Sequence, residues 1–234
     1  MRHRLFIGVA FFFAAPSVLP ESANAQQGGS LVIEQIGSEH RSSVVQQGSG
    51  QAAELIQGAA GARDNRAMVS QGSVPDAPDA AAFLGLDANE ALFTLYDAGD
   101  LNGALSGESS TLTDLLGELD VTGAGPGNSA ELIQIGSRNR ALAVQMGANN
   151  RMLTEQHGDG NIAVHLHEGS GNDTELVQRN GGNINALLAE GGAVGNDGGP
   201  LRLEAMGDVQ GFSIRATGVQ SYATAMVERN GTGG

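Results

Sequence analysis

The chain has 234 residues with 36 Gly, no Cys, no Trp and only 4% aromatic residues, and its formal net charge is −14 with every basic side chain an Arg. So acidic a balance lacks the basic footprint that nucleic acid needs. With few large aromatics and no disulfides, a conventional globular core is also hard to build, so backbone ladders and close packing of small residues must supply the stability.

Residues 1–25 read as a secretory signal peptide. Arg2 and Arg4 give a basic start, Leu5 to Ala15 an apolar stretch too short to span a bilayer, and Ala23-Asn24-Ala25 a small-x-small cleavage site. The mature chain is expected to begin near Gln26 and to carry no membrane span, because no later apolar run is long enough.

Residues 26–75 hold four imperfect copies of a short unit, starting at Gly29, His40, Gln51 and Asn65. Each places a glutamine six residues on: Gln35, Gln46, Gln57 and Gln71. Gly37 and Gly48 follow two residues later in the first two copies, and Ala62 to Asp64 are additional residues before the fourth. Residues 76–127 break the pattern with an acidic insertion. Asp87-Ala-Asn-Glu90 resembles a capping box before Ala91 to Tyr96, and Thr111-Leu-Thr-Asp114-Leu-Leu could start another short helix, so the insertion is expected to loop out with one or two marginal helices or to be partly disordered.

Residues 128–193 repeat with a period of 11 and no gaps. Asn128, Asn139, Asn150, Asn161, Asn172 and Asn183 open the units, and Gln134, Gln145, Gln156, His167, Gln178 and Ala189 occupy the seventh slot. Gly136, Gly147, Gly158, Gly169 and Gly191 occupy the ninth, with Asn180 the exception. Three degenerate units at Gly199, Gln210 and Ser221 fill residues 194–234 after a short interruption at Val194 to Gly198, and the tail from Asn230 to Gly234 is expected to be loose.

Strand side chains alternate faces, so a charge count over these 13 units fixes their orientation. Positions 1, 3, 5 and 7 contain no Asp, Glu or Arg, whereas positions 2, 4, 6 and 8 contain 17. The odd face points inward, since an unpaired buried charge is costly. Its ends are amides and its middle is Ala or Leu. An isolated buried amide costs about 1–3 kcal/mol if unpaired, but identical amides stacked ~4.8 Å apart can bond the copies above and below. Gly in the ninth slot lets the chain reverse with positive φ. The fold class is therefore all-β: a two-sheet β-solenoid of ~11-residue strand–turn units, two per coil. Gln134, Gln156 and Gln178 fall in one column, and Gln145, His167 and Ala189 in the other.

The units Asn128-Ser-Ala130-Glu-Leu132-Ile-Gln134-Ile-Gly136 and Asn139-Arg-Ala141-Leu-Ala143-Val-Gln145-Met-Gly147, behind a signal peptide, resemble those of the curlins, subunits of bacterial curli amyloid fibres. The resemblance covers most of the mature chain except 76–127. It implies export through an outer-membrane pore, templated assembly into cross-β fibres with copies of itself or other curlin-like subunits, and a role in biofilm matrix and adhesion. It also implies that the stacked Asn and Gln slots drive nucleation and growth. The acidic insertion and the slots lacking Gln depart from the ideal pattern and suit a minor or divergent subunit.

His157, His165 and His167 cluster in sequence, but only His165 and His167 share the inward face, so no metal site is expected. His167 stands in for Gln in its column. No catalytic constellation, phosphate loop or cofactor motif appears, and an enzyme is not expected. The competing expectation is a soluble secreted β-solenoid adhesin or binding module whose insertion carries the partner surface.

Overall fold

The computed structural model describes residues 9–14, 22–25, 29–98, 107–119, 125–192, 194, 200–217 and 224–228. Two leading strands, β1 (Val9–Ala14) and β2 (Ser22–Ala25), precede β3 (Ser30–Ser38), β4 (Arg41–Gln46), β5 (Ala52–Arg63) and β6 (Arg66–Gln71). The insertion contributes α1 (Ala77–Leu84), β7 (Phe93–Asp97), β8 (Glu108–Ser110) and α2 (Leu112–Gly117). The regular units form β9 (Ser129–Ile135), β10 (Arg140–Gln145), β11 (Arg151–His157), β12 (Ile162–His167), β13 (Asp173–Arg179) and β14 (Ile184–Glu190). The chain continues with β15 (Leu201–Met206), β16 (Phe212–Thr217) and β17 (Thr224–Glu228).

These strands make two sheets, parallel except for the β7–β8 pair, and successive repeat units alternate between them. The first sheet runs β1-β3-β5-β9-β11-β13-β15-β17, and the second β2-β4-β6-β10-β12-β14-β16-β7-β8. One strand from each sheet makes a rung. The crossover that a parallel pair requires is here the intervening unit: a turn, a strand in the opposite sheet, and a turn back. Gln156 lies beside Gln134 and Gln178 in the first sheet, and His167 beside Gln145 and Ala189 in the second. The register passes over the insertion intact, with Gln57 beside Gln134 and Gln71 beside Gln145. The extra residues at 62–64 are absorbed at a shift in the β3–β5 register between Ile36 and Ser38.

The turns depend on their glycines. Gly37, Gly48, Gly136, Gly147, Gly158, Gly169 and Gly191 all have φ between 83° and 124°, and Asn180 takes the same region at 76°. At Gly147 a Cβ would lie 1.9 Å from the Gly169 carbonyl oxygen, so the next rung excludes a side chain as firmly as the backbone angle does. Between the sheets the odd positions form a narrow core, with Leu132, Ala141, Ala143, Ala163, Leu176 and Leu187 essentially inaccessible. The outer face of the first sheet is solvated and carries ion pairs: Arg151–Asp173 at 3.3 Å, Arg202–Glu175 at 3.0 Å and Arg179–Glu204 at 2.9 Å.

Several expectations need correction. Residues 1–25, expected as a signal peptide, contribute two strands, β1 in parallel with β3 and β2 with β4. An open sheet edge accepts any extended backbone that reaches it. The basic start at Arg2 and Arg4, and the tail from Asn230 to Gly234, lie outside the described residues. Residues 91–96 do not form a helix. Phe93, Thr94, Leu95 and Tyr96 are aromatic, β-branched or apolar in alternation, and they add to the second sheet as β7, beside Phe212 to Arg215 of β16. The first helix lies earlier, with Asp76 as its N-cap and Gly85 as its left-handed C-cap. The second expected start is present: Thr111 and Asp114 form a reciprocal capping box at α2.

The insertion also does not loop out. It lies on the outer face of the second sheet, where Leu84, Phe93, Leu95, Leu112, Leu115 and Leu116 pack with Leu142, Val144, Val164, Leu166 and Leu188. The even positions are thus a solvated face along the first sheet but are covered on β10, β12 and β14 of the second. Arg66 and Arg140 bind this layer in place by donating to the Phe83 and Leu84 carbonyls at the C-terminal end of α1, where a cation and a donor are both favourable.

Leu115→Ala should therefore cost about 2–5 kcal/mol and expose residues 76–127 to proteolysis. Glu131→Ala, on the solvated face, should stay within ~0.5 kcal/mol. Urea titration and limited proteolysis of both variants test the difference.

Candidate assembly site

The seventh-slot glutamines form hydrogen-bonded columns inside the stack. In the first sheet Gln35 Nε2 donates to Gln57 Oε1 at 2.7 Å, Gln57 to Gln134 at 2.8 Å, Gln134 to Gln156 at 2.7 Å and Gln156 to Gln178 at 2.8 Å. Gln178 then donates to Asn185 Oδ1, so the column ends on a side chain of the facing sheet. The second hydrogen of each inner amide goes to a backbone carbonyl, as from Gln134 to Arg66 and from Gln156 to Arg140. Every one of these glutamines is buried. The second sheet holds a shorter column, Gln46 to Gln71 at 2.9 Å and Gln71 to Gln145 at 2.8 Å. Gln145 ends it by donating to the Ser129 and Asn150 carbonyls.

The asparagines work differently from the expected amide-on-amide ladder. Asn128 Oδ1 accepts the Asn150 backbone N–H at 3.0 Å, and Asn150 Oδ1 that of Asn172 at 3.0 Å. The other line does the same: Asn139 Oδ1 accepts from the Asn161 backbone at 3.0 Å, and Asn161 Oδ1 from Asn183 at 3.1 Å. Their Nδ2 groups donate largely to turn carbonyls, for example Asn128 to Gly147 and Asn139 to Gly158. Side-chain pairing is added only where Asn161 donates to Asn139 and Asn183 to Asn161. The shorter Asn side chain reaches the backbone of its neighbour, whereas the longer Gln reaches the neighbouring amide. Asn slots therefore fasten turns, and Gln slots fasten rungs.

The lines extend further than Asn itself. Gln51 Oε1 accepts the Asn128 backbone N–H, and His40 Nδ1 faces that of Asn65 at 3.2 Å. At the other end Val194 and Val209 supply the N–H groups that bond Asn172 and Asn183. Sequence spacing places these starts at Gly199 and Gln210, whereas the N–H groups that continue the two lines are those of Val194 and Val209. Asn185, which terminates the Gln column, is not among the residues that the repeat singles out, and an amide at the third, Ala-type position of its unit is the signal that marks it.

His165 and His167 are fully buried with ring centroids 5.3 Å apart, edge to face. Thr154, His165, Thr174 and His167 form a hydrogen-bonded chain, and His167 Nδ1 has no partner. His157 lies on the outer face, 3.4 Å from Glu155. The three histidines thus do not converge, and among the described residues no three His, Asp or Glu side chains form a metal-binding group. Burial holds His167 down to about 3; burial, then the neighbouring His167, pushes His165 well below the ordinary range.

No helix among the described residues is long and apolar enough to cross a membrane. No protein-family model matches the chain, and neither any curated protein nor any solved structure matches it significantly.

Gln156→Ala leaves one N–H of Gln134 Nε2 and the Gln178 Oε1 acceptor without partners, each at a cost of about 1–3 kcal/mol, and should destabilise the fold far more than Glu131→Ala. Equal denaturation midpoints would refute the ladder's contribution. Arg140 is not a suitable surface control, because it caps α1.

For the histidines the sign is set by the unfolded chain, where each titrates near ~6.5. Below that pH the unfolded state binds protons that the folded state refuses, so stability should fall by up to about 1.4 kcal/mol per pH unit per histidine as pH drops toward 3. His167→Gln should remove about half of this slope. Thermal melts at pH 7 and pH 4.5 measure it.

Proposed function

We propose that the chain is a secreted structural subunit of a curli-like amyloid fibre: a β-solenoid with two strands per coil that assembles by templated stacking of coils. The observation that carries this reading is the Gln column from Gln35 to Gln178, whose donor–acceptor step repeats from rung to rung. A column built of identical steps can be continued by a rung of another chain, with backbone ladders continuing beside it. The N-terminal basic and apolar stretch supports export, and the resemblance of the repeats to curlins supports passage through outer-membrane machinery. The destination is an extracellular cell-surface fibre serving biofilm matrix and adhesion. Partners are chains of the same repeat class, either copies of itself or curlin-like subunits. In this role the chain uses no cofactor, performs no catalysis and needs neither nucleic acid nor a membrane span.

A soluble secreted β-solenoid adhesin or binding module is the second reading. It is favoured by one feature: the insertion lies against the second sheet and ends it with an antiparallel strand, β8.

Incubating the chain from Gln26 onward with a synthetic peptide of residues 128–149 separates the two. The fibre reading expects assemblies that contain both and diffract at ~4.7 and ~10 Å. A chain that stays monomeric and unresponsive to the peptide supports the binding module.

A further inference from the structure

We propose that the two ends of the stack are not equivalent: the first rung, β3 with β4, accepts a Gln-bearing rung of a different repeat chain, whereas the chain's own β7–β8 hairpin closes the far end of the second sheet. This rests on the rung-stacking reading above and narrows its partner.

The polarity is built into the amides. In both columns every Gln Nε2 that bonds another Gln points toward the later rung. Turning an inner amide round would set its oxygen against the carbonyl that its nitrogen now binds, at Arg41 for Gln57, Arg66 for Gln134 and Arg140 for Gln156. The orientation is therefore not interchangeable, and the acceptor end of the ladder is the first rung. There Gln46 is 2% exposed, and its Oε1 has no hydrogen-bond partner. Its register neighbour on β2 is Ala25, a residue type with no side-chain donor. With β2 in place this acceptor is buried and unbonded, and a rung carrying an amide donor where β2 has Ala25 would supply the missing bond.

The far end offers no such amide. The last seventh-slot residues are Ala189 and Ala216 in the second sheet and Ala205 and Val227 in the first. The edge of β16 is covered by β7: the Thr94 N–H bonds the Gly211 carbonyl, and the Tyr96 ring stacks on Phe212 with centroids 4.8 Å apart. Beyond it β8 runs antiparallel, opposite to the direction of the rungs. A second copy presenting this end to the first rung would bring no Gln donor and a strand of the wrong sense. The occupant is therefore a different chain, ending in a rung with glutamine in both seventh slots. The first rung can receive a strand pair in parallel, as the positions of β1 and β2 demonstrate.

The test uses the chain from Gln26 onward and the peptide of residues 128–149, which carries both Gln134 and Gln145. Native mass spectrometry should find one peptide per chain, and hydrogen exchange should slow in β3 and β4 but not in β8, β16 or β17. A peptide with Gln145→Leu loses the donor to Gln46 without altering the protein, and should bind about tenfold more weakly. The full chain, whose β1 and β2 already lie on these edges, should take up no peptide. Protection at the far end, several peptides per chain, or equal binding of the two peptides would overturn the proposal while leaving rung stacking intact. No binding at all overturns it too, and joined with an absence of fibres it removes the stacking reading as well.

Discussion

A carboxamide withdrawn from water has to find partners for two donors and an acceptor, and this fold is arranged around that requirement. Each inner glutamine meets it by taking one bond from the rung before, giving one to the rung after, and spending its remaining hydrogen on a backbone carbonyl of the facing sheet. The arrangement works only if successive rungs keep register, because a one-residue slip would turn each amide to the opposite face. The polar interior is thus the part of the structure that specifies alignment. Small apolar residues between the amides let the sheets approach closely without specifying much themselves.

The same chemistry divides labour between two side chains that differ by one methylene. Asn reaches the backbone N–H of its counterpart one rung on and fastens the turns, whose glycines would otherwise leave them loose. Gln reaches the next amide and fastens the strands. His167 interrupts the second column: its ring turns to Thr174, and Gln145 falls back on backbone carbonyls. One substitution converts a pH-indifferent step into an acid-sensitive one.

The insertion follows from a second constraint, the apolar even face of β10, β12 and β14. Leu142, Val144, Val164, Leu166 and Leu188 would form an exposed apolar patch if left bare, and α1 and α2 cover it. Having crossed that face, the chain reaches β16 and adds β7 to its open edge, which leaves the two ends of the stack chemically unlike.

The sequence by itself determined the period, the inward face, the glycine turns and the columns in which Gln and Asn stand. Those follow from alternation and repetition, which are local properties written at fixed spacing. It also contained the second core, in that positions 4 and 6 of β10, β12 and β14 are apolar, but pooling all units hid the difference between alternate ones. Only the tertiary structure decided where residues 76–127 go, because the contacts of Phe93, Leu112 and Leu115 are with strands that come later in the chain. It likewise decided that Phe93 to Asp97 is a strand. A capping box at Asp87 and an apolar run suit a short helix locally, and the free edge of β16, more than a hundred residues away, outweighs that preference with a ladder and a ring stack. The direction of each amide belongs to the same class. Spacing places a glutamine in a column, but the carbonyls of the opposite sheet decide which way it points.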